Sequence, residues 1–158
     1  SGGPCPLSHL PVGEVVSGFV MGGLIPLGIA AAATNRLCPE ILPEALPLII
    51  GIALIMMTNN GCDREKDHRA GRRTLPVLLG RERTVRLYRG LAVAWIALLC
   101  VLALALHWPV GLAEPALLYV LAGRAFRVLL CSELRPEERI KQMKTVTAAN
   151  LLGNGVCF

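Results

Sequence analysis

Gly90-Leu91-Ala92-Val93-Ala94-Trp95-Ile96-Ala97-Leu98-Leu99-Cys100-Val101-Leu102-Ala103-Leu104-Ala105-Leu106 carries no charged side chain, and the charge-free run continues to Ala113. A helix rises about 1.5 Å per residue, and a bilayer's hydrocarbon core is about 30 Å thick. The run is therefore long enough to cross a membrane as one helix. Outward from it lie two more charge-free stretches, Val15 to Asn35 and Ala45 to Cys62. Of the 158 residues, 54% are hydrophobic and only 17% charged, against roughly 25% charged in an ordinary soluble domain. Mean hydropathy is +0.57. One core cannot absorb that much apolar side chain, so the surplus must face something other than water. The pattern predicts an all-α, multi-pass transmembrane helical bundle.

Five membrane segments follow from the pattern. The first covers about Pro11 to Thr34, where Gly18, Gly22 and Gly23 permit close approach of a neighbouring helix and Pro26 predicts a kink. Pro39 and Pro43 punctuate the next loop. The second segment is about Leu46 to Thr58, the third about Gly90 to Leu106, and the fourth about Ala116 to Leu130. The fifth begins near Lys144. Trp108 and His107 are expected at the interface, with Pro109 to Pro115 as a turn. Between the second and third segments lies the most charged stretch, Asn59 to Arg89. Neither terminus has the form of a natural end: Ser1 is no initiator methionine and Phe158 stops within an apolar stretch, so a fragment is expected.

Basic residues test this topology. Placing Asn59 to Arg89 on the cytoplasmic side puts every Lys and Arg but Arg36, of sixteen in all, on that side, as the positive-inside rule requires. The net charge of +5 is thereby mostly a topology signal, which also suits anionic lipid or a diphosphate. The basic residues show no pattern of aromatic interleaving, Tyr88 and Phe126 being isolated cases, which argues against nucleic acid as a partner. The six cysteines are scattered, with no C-x-x-C pair and no zinc spacing, so neither a disulfide framework nor structural zinc is expected.

The chemistry-bearing stretch is Asn59-Asn60-Gly61-Cys62-Asp63-Arg64-Glu65-Lys66-Asp67-His68-Arg69-Ala70-Gly71-Arg72-Arg73-Thr74-Leu75-Pro76. Continued as a helix, it puts Asn59, Asp63 and Asp67 at i, i+4 and i+8, along one face. Two carboxylates and an amide oxygen are hard ligands of the kind Mg²⁺ takes when it bridges protein to phosphate. Lys66, Arg69, Arg72 and Arg73 lie around them, and guanidinium groups bind phosphate oxygens bidentately. The metal candidates are therefore Asn59, Asp63 and Asp67; the diphosphate candidates are Asn60, Lys66, Arg72 and Arg73. The competing role of the basic residues is topology and headgroup contact. Glu14 reads as a helix N-terminal acid. His68 reads as solvated, and Trp95, Phe126 and Tyr88 as packing.

The spacing Asn59-Asn60-x-x-Asp63-x-x-x-Asp67-x-x-x-Gly71-Arg72-Arg73-Thr74-Leu75 resembles the second aspartate-rich motif of the UbiA superfamily of intramembrane prenyltransferases. The paired asparagines, the Gly-Arg-Arg-Thr-Leu-Pro tail and the opening Ser1-Gly2-Gly3-Pro4 with Gly13-Glu14 are most similar to its 1,4-dihydroxy-2-naphthoate polyprenyltransferase branch. The resemblance implies a nine-helix bundle with two aspartate-rich loops above a central cavity. Residues 1–158 would then be the C-terminal part, about five of the nine helices, and the first aspartate motif would lie upstream. It also implies Mg²⁺ held by Asp63 and Asp67 as catalytic residues, with polyprenyl diphosphate and an aromatic acceptor as substrates. The location implied is the cell's inner (plasma) membrane, in contact with the lipid bilayer. The same resemblance leaves 4-hydroxybenzoate open as acceptor. Two rivals remain at this stage. A CDP-alcohol phosphotransferase needs a D-G-x-x-A-R element that is missing here; a transporter would carry its carboxylates in mid-helix rather than at a helix end.

Overall fold

The computed structural model describes residues 11–106 and 113–157, and each regular element among them is helical. His107, Trp108, Pro109 and the opening Ser1 to Ser8 lie outside the described residues. The first rod consists of α1 (Gly13–Phe19), a π-helical turn (Val20–Leu24) and α2 (Ile25–Thr34). Pro26 explains the turn. It has no N–H to give, and its ring crowds the carbonyl four residues back. The helix widens there, and the Ile25 N–H donates to the Val20 carbonyl, five residues away. The rod ends at Asn35, whose φ of 55° is left-handed, a conformation asparagine tolerates better than most residues.

Helix α3 (Leu46–Cys62) lies backbone to backbone against this rod. A Cβ on Gly22 would stand 2.6 Å from Ile49 Cα, and one on Gly18 would stand 2.6 Å from the Ile49 carbonyl oxygen. The small-residue stripe thus serves the close approach its spacing predicts. Gly23 is looser and meets only side chains, those of Ile49 and Phe19.

The short α4 (Arg64–Arg69) follows, then α5 (Leu75–Leu106), α6 (Glu114–Leu130) and α7 (Arg139–Cys157). Two starts differ from the sequence expectation. Helix α5 begins at Leu75 rather than Gly90, and α7 at Arg139 rather than near Lys144. Hydropathy marks where the apolar run stops, whereas Arg, Glu, Lys and Gln are good helix formers and carry the helix on into water. The added turns are anchored: Thr84, Tyr88 and Gln142 are buried. Helix α5 is broken once, at Gly80 (φ 76°, ψ 166°).

The core sits where α3, α5, α6 and α7 meet. Trp95, Tyr88, Leu54, Met57, Leu99, Leu129 and Val146 are fully enclosed, and Trp95 meets Phe126 edge to face with centroids 5.7 Å apart. Asn150 fastens α7 to α3, donating from Nδ2 to the Gly51 carbonyl at 3.1 Å. The outer surface is apolar as well: Val15, Ile29, Val120 and Leu151 are each about two-thirds exposed or more. In water such a surface is a liability, and in lipid it is simply solvated. Gly13–Thr34 and Leu75–Ala105 are long and apolar enough to span a bilayer, and α3 is a shorter apolar helix.

Candidate functional site

The polar ends of the helices gather at one end of the bundle. Arg81, on α5, binds three groups across the gap. Its Nη1 donates to the Glu133 and Leu134 carbonyls (3.2 and 2.8 Å), and its Nη2 to Glu65 Oε1 (2.7 Å). Arg89 Nη2 reaches the Ser132 carbonyl at 3.2 Å. These bonds tie the α6–α7 connection to α4 and α5. Leu134 turns that connection with φ of 53°, and its side chain packs onto Gly61, where an added Cβ would meet Leu134 Cδ1 at 2.7 Å. The Arg81 hydrogen bond holds the Glu65 carboxyl below its ordinary value of 4.5, against a smaller opposing effect of burial.

On this platform stand the predicted site residues. Helix α3 ends at Cys62, and Asp63 sits at the junction with α4 (φ −88°, ψ 8°). The i to i−4 bonding nevertheless runs through: Asp63 N–H donates to Asn59 O (3.0 Å), and Asp67 N–H to Asp63 O (2.8 Å). The side chains divide into two groups. Asn59 Oδ1 accepts a hydrogen bond from Arg139 Nη2 at 2.6 Å, and Asp63 Oδ2 forms an ion pair with the same nitrogen at 3.2 Å. Asp67 is 3% exposed and takes Arg72 Nη1 on Oδ1 at 2.8 Å. Asn60 is placed elsewhere. One residue on is about 100° round a helix, and its Nδ2 donates to Glu14 Oε1 at 2.9 Å, where both residues are buried. Lys66 and Arg73 are exposed at the same end.

Arg139 and Glu14 are the partners that sequence alone undervalued. Arg139 lies 80 positions from Asn59 and in the sequence is one basic residue among many. Glu14 lies 46 positions from Asn60 and reads as an ordinary helix-start acid.

The donor set is all oxygen, which suits a hard divalent cation. Asp67 Oδ2 and Glu65 Oε2 are buried and have no hydrogen-bond partner among the described residues. A buried carboxylate oxygen with no donor is costly unless a cation or water meets it, so the residues fit a metal. Among the described residues no three His, Cys, Asp or Glu side chains converge on one point. Two carboxylates and an amide therefore amount to part of a ligand set, to be completed from elsewhere.

An apolar cavity of about 630 Å³ opens between α2, α3 and α7. Pro26, Leu48, Ile52 and Ile55 line one side, and Thr147 and Leu151 the other. Along α3 it extends to Ile55, one turn before Asn59.

The chain matches the model of the UbiA prenyltransferase family over residues 4–149. It is 31% identical over 111 residues to the 1,4-dihydroxy-2-naphthoate octaprenyltransferase of Bacillus subtilis (strain 168), an alignment covering 68% of this chain and 36% of that protein. The chain thus spans about a third of the length of the curated relative it matches. No solved structure matches it significantly.

Proposed function

Because the chain belongs to the UbiA prenyltransferase family, whose members are integral membrane proteins, we propose that the protein transfers a polyprenyl group from polyprenyl diphosphate to an aromatic acceptor. The acceptor proposed is 1,4-dihydroxy-2-naphthoate, on the strength of the Bacillus relative and the paired asparagines Asn59 and Asn60. The observation that carries the reading is the buried Asp67 carboxylate, with one oxygen unpartnered among the described residues, one helical turn beyond Asp63 and two beyond Asn59 at a helix end.

Asp63, Asp67 and Asn59 would hold the family's divalent metal, for which Mg²⁺ is proposed. When bound, the metal supplies the charge that stabilises a departing diphosphate. Arg72, Lys66 and Arg73 bind diphosphate oxygens, and Arg72 holds Asp67 until the substrate arrives. The allylic carbon–oxygen bond breaks, and its electron pair leaves with the diphosphate. A ring carbon of the acceptor forms the new carbon–carbon bond, and the naphthoate carboxyl departs as carbon dioxide. Asn60 acts at one remove: its bond to Glu14 sets α1 against α3 and so fixes the α3 terminus. The apolar cavity ending at Ile55 would take the polyprenyl tail and keep water from the reacting carbon. The basic end of the bundle would face the cytoplasm.

The test is an assay of the complete protein in membranes with Mg²⁺, a long polyprenyl diphosphate and 1,4-dihydroxy-2-naphthoate. Asp63→Asn and Asp67→Asn should each lower turnover by about 100-fold or more. Product from 4-hydroxybenzoate alone would move the acceptor and keep the reaction. Full activity in both variants would remove these aspartates from the site.

A further inference from the structure

Two of the three proposed metal ligands are already bridged by a cation, and that cation belongs to the chain. Asn59 Oδ1 and Asp63 Oδ2 converge on the single nitrogen Nη2 of Arg139. A guanidinium only donates, so the amide must turn its oxygen toward it. Both oxygens therefore lie against one point of positive charge, Asn59 through a hydrogen bond and Asp63 through an ion pair, as they would against a metal. The rest of the guanidinium is little used. Arg139 Nε is buried with no hydrogen-bond partner among the described residues. The pair is not deeply enclosed, with side-chain exposures of 43% for Arg139 and 22% for Asp63. Arg139 is the first residue of α7, just after the Pro136–Glu138 turn.

We propose that Arg139 is a resident counter-cation that competes with the divalent metal for Asn59 and Asp63 and, once displaced, turns its free donors to the substrate's diphosphate. This rests on the metal-site reading above. Arg139 is a positioning residue in the first state, holding two ligand oxygens at one point and balancing the Asp63 charge. In the second it becomes a phosphate ligand of the bidentate kind that arginine favours. No proton or covalent bond changes hands. The consequence is ordered binding: the metal frees the arginine, and the arginine then helps retain the diphosphate.

The experiment uses the complete protein in lipid nanodiscs, with bound Mn²⁺ read by electron paramagnetic resonance. Arg139→Gln removes the competitor, so Mn²⁺ should bind about fivefold more tightly, as expected for loss of a partly exposed ion pair. Asp63→Asn is the control and should weaken Mn²⁺ about tenfold or more. In the unmodified protein, Arg139 is also labelled with phenylglyoxal and quantified by peptide mass spectrometry. Saturating Mn²⁺ should raise its labelling, and Mn²⁺ with inorganic diphosphate should suppress it again. The labelling needs no variant, so it decides the matter should Arg139→Gln fail to fold. Unchanged labelling on adding Mn²⁺, or Mn²⁺ affinity unchanged or weaker in Arg139→Gln, would overturn the competition. Labelling that stays high with diphosphate would overturn the handover. If Asp63→Asn binds Mn²⁺ as well as the unmodified protein does, it is the metal-site reading that fails, and this inference falls with it.

Discussion

Gly22→Ala adds one methyl group where the backbones of the first rod and α3 run closest together. Its Cβ would sit 2.6 Å from both Cα and N of Ile49 and 2.8 Å from the Leu48 carbonyl carbon. Carbon atoms in comfortable contact stand about 3.5–4.0 Å apart, so α3 and the first rod would have to separate by about 1 Å. All three neighbours are backbone, and no side chain can swing aside to absorb the methyl. Overpacking of this kind costs about 1–3 kcal/mol, which is roughly a five- to hundredfold loss in the ratio of folded to unfolded protein. The same separation draws Glu14 away from Asn60, bonded at 2.9 Å, and so loosens the helix end that carries Asn59 and Asp63. Gly28 is the control, since a Cβ there meets nothing within 4 Å. Gly28→Ala should be neutral or stabilising by up to about 1 kcal/mol, from helix propensity alone. Denaturant unfolding in mixed micelles measures both variants, and Mn²⁺ binding measures the loosened site. Equal stability of Gly22→Ala and Gly28→Ala would refute the backbone-to-backbone packing.

Gly80 makes a different demand, because its φ of 76° with ψ of 166° lies in a region essentially reserved for glycine. Gly80→Ala should destabilise by about 1–3 kcal/mol although nothing lies within 4 Å of the added Cβ, and an unchanged melting temperature would deny the break in α5. Glu65 predicts an acid effect. Its folded value lies below the ordinary 4.5, chiefly through the Arg81 hydrogen bond. Its contribution is therefore complete above that ordinary value and fades as pH falls through the lower folded one. Melting curves from about pH 6 to about pH 3 should accordingly fall less steeply for Glu65→Gln than for the unmodified protein; identical slopes would mean that the Arg81 link does not hold in solution.

Much of the fold and part of the site can be read directly from the residues. Long charge-free runs have one comfortable environment, so lipid-facing helices follow from hydropathy without any knowledge of contacts. Gly18, Gly22 and Pro26 act locally, through a missing Cβ or a missing N–H, and their consequences were legible for that reason. The Asn59, Asp63, Asp67 spacing was legible because helical periodicity is local too, and the backbone bonds Asp63 N–H to Asn59 O and Asp67 N–H to Asp63 O keep it. The starts of α5 and α7 were not legible, since hydropathy detects lipid and not helix, and charged turns beyond the bilayer remain helical.

What only the tertiary structure decided is which partner each side chain of the motif has. Asn59 and Asp63 meet Arg139, Asp67 meets Arg72, and Asn60 turns away to Glu14. Residues side by side in sequence thus go to different neighbours, because successive positions on a helix face different directions. Arg139 and Glu14 come from opposite ends of the chain. Their roles depend on how whole helices pack, which composition, spacing and period do not encode.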